Sequence, residues 1–517
     1  MLSAYSGSAI RSAEAPLLDA GQGAALMQRA AYGLYAAAAA ELISRTGGCY
    51  GRTAVVLAGS GNNAGDALFA AARLAGRGVR TTAVFTSATT HPLALAAFQR
   101  AGGRVELLSE ATTGRLVGST AAADLVIDGI LGIGGSGGLR EPAATFVREL
   151  AAAATGVVVA CDLPSGVDAH TGVVNEPVLH ADLTVTFGAL KTGLLAGPGA
   201  HAAGRVVVVD IGLAGSLPEP DLFRLEAADA AALYRRPRPA DHKYTRGVLG
   251  IAAGSAMYPG AAVLATGAAL ATGLGMVRYL GPPSVADLVN RTHPEAVCSQ
   301  EQVKPTHVQA WLVGPGADED PDQRRRARDA MASGLPTVVD AGALALLPRR
   351  LAPQVILTPH AGELQAVLAK RKVKATRRDI EAAPTEYARI AAELTGATVL
   401  LKGAVTVVAS PSGSLFSQAD ATPWLATAGS GDTLAGILGA LIATLADDDG
   451  DAAIERIGVP MPDKWAAIAA AAALLHGLAG TRAAGFGPIV VSELPQHLGA
   501  VLADLLTAPP SRTQFTN

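Results

Sequence analysis

Continuous runs of Val, Ile and Leu alternate with Ala-rich stretches along nearly the whole chain, and no other feature restricts the fold as much. TAVVLAG (53–59), ADLVIDGI (123–130), GVVVACDLP (156–164), ADLTVTFG (181–188) and GRVVVVDIG (204–212) are such runs. Between them lie AGDALFAAARLAGRG (64–78) and AATFVRELAAAATG (143–156). Strands that lack polar alternation are buried on both faces, as in parallel sheets covered by helices. The chain is therefore expected to be α/β.

A second series of the same kind runs from GVLGIAAGS (247–255) through AWLVGPGAD (310–318), PTVVDAGAL (336–344) and QVILTPHAGE (354–363) to ATVLLKGAVTVVAS (397–410). Between the two series, residues 213–242 mix prolines with both charge signs. Arg235, Arg236, Pro237, Arg238 and Pro239 are expected to form a stiff, solvated connector. The expected organisation is one domain over 1–220, a linker over 221–241, a second domain over 242–507 and a frayed tail over 508–517. The acidic stretch 445–464 is expected to be an exposed insertion.

Composition excludes several classes. Lys and Arg number 41 against 44 Asp and Glu, a net charge of -3. Nucleic acid demands a basic surface, so it is not expected as the ligand. Three cysteines give neither a disulfide framework nor a metal spacing, and a reducing cytoplasm fits them. The run AIAAAAALL (467–475) is shorter than the roughly 20 apolar residues of a spanning helix, so it is expected to be a buried core helix rather than a membrane segment. Ala-rich helical faces point to a homo-oligomer or, equally, to intramolecular packing.

Glycine-rich loops follow the first-half strands. GSGNNAGD (59–66) opens a helix, where free N–H groups suit a phosphate. In DGILGIGGSGGLREP (128–142), Asp128 stands at a strand end and the following glycines can wrap a pyrophosphate. CDLPSGVDAHTG (161–172) brings Asp162, Ser165 and Asp168 to a third strand end. If the three loops meet, Asn63, Asp128 and Ser165 form an oxygen cage for a cation. Asp162 suits proton transfer, or else caps its own turn. Lys191 is a second candidate, though a Lys before Gly is more often a surface charge.

These motifs, with FGALKTGLLAGPGAHAAGRVVVVDIGL and the early RSAEAPLL…LMQRAA, resemble the NAD(P)H-hydrate epimerase domain over roughly residues 5–213. The resemblance implies a Rossmann-like αβα fold and interconversion of the R and S epimers of hydrated NADH and NADPH (NADHX and NADPHX). It implies K+ on Asn63, Asp128 and Ser165. It puts substrate contacts on Asn62, Asn63, Ala64, Gly65 and Asp66, on Gly132, Ile133, Gly134, Gly135, Ser136, Gly137 and Gly138, and on Asp162, which is also the catalytic candidate. The chain departs from the family at Ala64 and Ala67, where Gly is more usual, and at His170, where Asp is.

In the second half, ATAGSGDTLAGILGALIA (426–443) sets Gly429, Gly431 and Asp432 at the start of an apolar helix. Such a turn forms an anion hole, and an Asp there can deprotonate a hydroxyl that attacks a terminal phosphate. The plainer alternative is an N-cap. LLKGAVTVV (400–408) precedes it, and GPG (314–316) and LTPHAGE (357–363) are further strand-end motifs. Together these resemble the ADP-dependent NAD(P)H-hydrate dehydratase domain, a ribokinase-like fold, over about 225–505. The resemblance implies ADP with Mg2+, phosphorylation of the 6-hydroxyl of the S hydrate, and loss of phosphate. It makes Asp432 the catalytic base and a substrate contact. It assigns Lys402, Gly403, Ala404, Val405, Thr406 and Gly431 to the nucleotide, and Ala261, Gly316 and His360 to the hydrate. Gly342 stands where the family more often has Asp. The runner-up is a ribokinase-class kinase of small hydroxymethyl compounds, with the first half a non-catalytic binding module.

Overall fold

The computed structural model describes every residue except Ser136, Ala154, Pro305 and 508–517. The expected substrate contact at Ser136 and the expected tail thus lie outside the described residues. The chain divides into two compact units, Ser3–Asp221 and a second that runs from Leu222 onward and takes in Met1–Leu2.

The first unit is built on seven strands in the order Arg104–Leu107, Arg80–Phe85, Thr53–Ala58, Leu125–Gly129, Val157–Cys161, Leu183–Phe187, Arg205–Val209. Every neighbouring pair is parallel. Side chains alternate between two cores, as strand geometry requires. Val56, Ile127, Val159 and Val185 pack under the helices Gly23–Thr46 and Asn62–Ala75. Val55, Leu57, Val126 and Val158 pack under Glu110–Ala121 and Ala143–Ala152. This is the expected αβα layering. The strand order reverses on the two sides of Thr53–Ala58, and open α/β sheets bind ligands beyond the carboxyl ends of strands at such a point.

The second unit carries a sheet in the order Val297–Ser299, Met276–Leu280, Val248–Ala252, Ala310–Val313, Thr337–Val339, Val355–Leu357, Thr398–Leu401, Thr406–Ala409, Leu415–Gln418, Leu222–Arg224. The strands are parallel as far as Thr398–Leu401, and the next two pairings are antiparallel. The order reverses on the two sides of Val248–Ala252. Helices Pro259–Ala271, Ser430–Thr444 and Lys464–Ala484 share one large core with the sheet.

Two expectations need correction, and a third is met. The segment read as a connector is folded: Leu222–Arg224 is a strand, Ala227–Leu233 a helix, and Leu222, Leu225, Ala230 and Leu233 are buried. Arg235, only 14 % exposed, pairs with Asp447 at 2.5 Å and Asp449 at 3.2 Å. The acidic stretch is likewise no loose insertion. It forms the helix Asp448–Arg456, which buries Ala453 and Ile454, and its acidic start neutralises those arginines. The Ala-rich run belongs to a segment, Met461–Ala484, that is long and apolar enough to cross a membrane; 78 % of its apolar window is buried in the unit. This is the buried core helix expected of that run.

Candidate active sites

In the first unit the loops after Thr53–Ala58 and Leu125–Gly129 touch. A Cβ on Gly59 would lie 2.1 Å from Ile130 O, so only glycine permits that approach. The Asn63 amide donates to Leu131 O at 3.0 Å. Leu131 N–H donates to Ser165 Oγ at 2.9 Å, and that hydroxyl donates to Asp128 Oδ1 at 2.6 Å. Asp128 also accepts from Ser165 N at 2.8 Å and Ile130 N at 3.3 Å. Asn63, Asp128 and Ser165 are therefore tied together, and the three loops do meet. Asp128 is 1 % exposed. Burial pushes its carboxyl up, against the pull of the Ser165 and Ile130 hydrogen bonds, and no cationic side chain is among the groups acting on it.

A cleft of about 560 Å³ opens beside this knot. Asn62, Asn63, Asp66, Gly132, Ile133, Gly134, Gly135 and Asp162 line it, together with Arg11, Glu14 and Lys191. Ala64 and Gly65 are buried in the helix and do not line it, nor do Gly137 and Gly138. Asp168 accepts from His170 N, Thr171 N and Thr171 Oγ1, so it shapes its own turn. His170 is exposed.

Asp162 has φ of 69°, a left-handed conformation uncommon outside glycine. Its Oδ1 accepts from Lys191 Nζ at 2.6 Å and Thr186 Oγ1 at 3.0 Å, and its Oδ2 from Ile133 N at 3.3 Å. Lys191 is not the surface charge its sequence context suggests. It is 1 % exposed and spends its remaining donors on Thr186 Oγ1 and Phe187 O, each at 2.8 Å. A buried charge needs such complete pairing. Asp66 lacks it: Oδ1 is buried without a hydrogen-bond partner. Burial, then the charges of Asp162 and Glu14, hold the Asp66 carboxyl well above the usual carboxylate range. Burial also raises Glu14.

In the second unit, Asp432 stands in the first turn of the buried helix Ser430–Thr444. Its carboxyl is pushed up to about 6 by burial and by Asp340, against the opposing charge of Lys402. Lys402 Nζ donates to Asp340 Oδ1 at 2.8 Å and lies 3.8 Å from Glu363 Oε2. Burial pulls the Lys402 ammonium down, but Asp340 and Glu363 outweigh it and the net shift is upward. A Cβ on Gly431 would lie 3.4 Å from Lys402 Nζ, which places the helix N-terminus against the ammonium. His360 caps the helix Ala361–Ala369 and lies 3.6 Å from Glu363. Gly403 and Ala404 are exposed, Val405 is buried and Thr406 begins a strand.

Ala261 and Gly316 form a second group: a Cβ on Gly316 would lie 2.7 Å from that of Ala261. Asp340 links the groups, since its N–H donates to Val313 O and its own carbonyl abuts Gly314. A Cβ on Gly342 would come within 2.1 Å of Ala317 O, so the turn is built around glycine and cannot take the Asp more usual there. Beneath Asp432, the buried His476 Nε2 faces Thr433 Oγ1 at 3.2 Å and Ser430 Oγ at 3.5 Å, and burial pushes it down to about 4.

Sequence reasoning singled out Glu363 beside His360 at a strand end, without a role, and missed Asp340, Glu14 and His476 as site residues. Asp340 directly follows a β-branched run, and that position alone carried a signal.

Two family profiles match the chain: NAD(P)H-hydrate dehydratase over residues 249–501 and YjeF-related protein N-terminus over 23–193. A bifunctional NAD(P)H-hydrate repair enzyme of Mycobacterium tuberculosis (strain ATCC 25618 / H37Rv) is 46 % identical over 452 residues, or 85 % of this chain and 89 % of that protein. An NAD(P)H-hydrate epimerase of Microbacterium testaceum (strain StLB037) is 45 % identical over 235 residues, 45 % of this chain and 85 % of its own. A crystal structure of an ADP/ATP-dependent NAD(P)H-hydrate dehydratase from Bacillus subtilis, co-crystallised with ATP/Mg2+, aligns with TM-score 0.46 and 26 % identity over 54 % of this chain and 97 % of that one.

Proposed function

This chain belongs to the family of bifunctional NAD(P)H-hydrate repair enzymes, and on that premise we propose how its residues divide the work. The first unit interconverts R and S hydrates of NADH and NADPH. The second dehydrates the S form.

Asp432 carries the dehydratase assignment. A carboxyl pushed up to about 6 is ionised at neutral pH yet basic enough to take the proton of the 6-hydroxyl. The freed oxygen attacks the terminal phosphorus of ADP, and AMP departs. The resulting ester loses phosphate far more readily than the alcohol loses hydroxide. Loss of a C5 proton then restores the dihydropyridine. Lys402 and the N–H groups at the start of Ser430–Thr444 neutralise the transferring phosphoryl group. Ala261, Gly316 and His360 contact the hydrate. Mg2+ would enter with the nucleotide and help to neutralise its phosphates.

In the first unit Asp162, oriented by Lys191, exchanges protons with the hydrate oxygen against the glycine wall. Asn63, Asp128 and Ser165 present amide, carboxylate and hydroxyl oxygens around a buried anion that lacks a cationic partner, which fits a monovalent cation. K+ held there would supply that positive charge.

The test is incubation of mixed hydrate epimers with ADP and Mg2+. Full recovery of reduced-nicotinamide absorbance supports both assignments. Recovery that stops at the S fraction removes the epimerase. A stable phosphoester in place of free phosphate favours a small-molecule kinase.

A further inference from the structure

The epimerase cleft holds more proton-carrying groups than Asp162 alone accounts for. Asp66 comes from the helix that follows Thr53–Ala58, and Asp162 from the end of Val157–Cys161. The strand Leu125–Gly129 lies between those two strands. Both residues line the same cleft of about 560 Å³. Their environments are opposite. Asp162 is paired with Lys191 and accepts three hydrogen bonds. Asp66 is 8 % exposed, with a buried oxygen that meets no partner. A polar atom left unpaired in so dry a place costs free energy unless a ligand completes it.

We propose that Asp66 is a second catalytic acid–base group of the epimerase, working as a pair with Asp162 across the hydrate ring. The inference rests on the epimerase reading of the first unit. In one direction neutral Asp66 gives its proton to the 6-hydroxyl. The C6–O bond breaks, water leaves with the bonding electrons, and the N1 lone pair closes the N1=C6 iminium. Water then adds to the other face, its surplus proton passes to the Asp162 carboxylate, and the iminium pair returns to N1. The reverse direction starts from neutral Asp162 and ionised Asp66. Burial and the negative charges of Asp162 and Glu14 favour the protonated form of Asp66. The remaining groups nearby agree with this. Lys191 is committed to Asp162, Arg11 donates to Ile133 O, and the Cys161 thiol is pushed well up by burial and by Asp66.

The test starts from pure R hydrate with the full chain, nucleotide omitted so that the second unit is idle, in H2 18O. Wild type is expected to invert C6 with one solvent oxygen per event and to lose rate as pH rises through the Asp66 titration. D66N is expected to lower kcat by about 100-fold or more with KM changed less than threefold. D66E is expected to restore part of the rate and to move the alkaline limb. D66N within threefold of wild type overturns the proposal, as does inversion without solvent oxygen. An alkaline limb unmoved in D66E also overturns it, and decides the matter if D66N does not fold. Thermal unfolding of the first-unit transition in the same variants reports folding. A wild type that inverts nothing sinks the epimerase reading itself, and is thereby distinguished from failure of the Asp66 role.

Discussion

Each unit sets a Lys–Asp pair at the carboxyl end of a parallel sheet and a further carboxyl beside it, yet the two arrangements are tuned oppositely. In the first unit Lys191 and Asp162 are sealed, with side chains 1 % and 8 % exposed. In the second, Lys402 keeps 20 % exposure against 3 % for Asp340. Among the described residues no cation relieves Asp66, and burial with two neighbouring carboxylates holds it well above the usual carboxylate range. Asp432 feels Lys402 and settles at about 6. One carboxyl is thereby kept as an acid, the other as a base. The lesson is that the reach of one ammonium, rather than the residue type, sets the role.

The comparison breaks most visibly at Asp432. Asp432→Asn is expected to lower dehydration kcat by about 10³-fold while R-to-S interconversion, assayed without nucleotide, keeps its rate. Loss of both activities would mean that the two sites are not separate in function.

Removing the two ammonium groups sharpens it. Lys191→Met leaves a buried, uncompensated Asp162 and is expected to cost about 3–5 kcal/mol in urea unfolding. Lys402→Met breaks a partly solvated pair and is expected to cost about 2 kcal/mol. Equal losses would contradict the difference in sealing.

A smaller effect concerns titration. Dehydration kcat/KM is expected to fall as pH drops through about 6, because protonated Asp432 cannot accept the hydroxyl proton. Lys402 favours the charged form, so the residual activity of Lys402→Met should show this limb at higher pH. A limb that stays in place would remove Lys402 from the tuning.

Much of this was legible in the chain. Strands such as TAVVLA and LVIDG read directly because both faces are buried, and Gly59 and Gly429 punctuate their ends or the next helix. Asn63, Asp128 and Ser165 were named from strand ends, and the structure ties them together through Leu131. Partnerships across long separations were not legible. Lys402 meets Asp340 across 62 positions, and Lys191 meets Asp162 across 29, so the sequence leaves Lys191 open between a proton-transfer candidate and a surface charge and does not single out Asp340. The segment 221–241 was misread because its prolines and arginines masked Leu222, Leu225, Ala230 and Leu233, whose burial requires the second sheet to exist first.

The most direct test is a pair of pH–rate profiles on one preparation of the intact chain: R-to-S interconversion without nucleotide, and dehydration of S hydrate with ADP and Mg2+, each corrected for the enzyme-free rate. The account predicts that dehydration rises with pH through about 6 whereas interconversion falls on the alkaline side. Profiles that rise and fall together would contradict it.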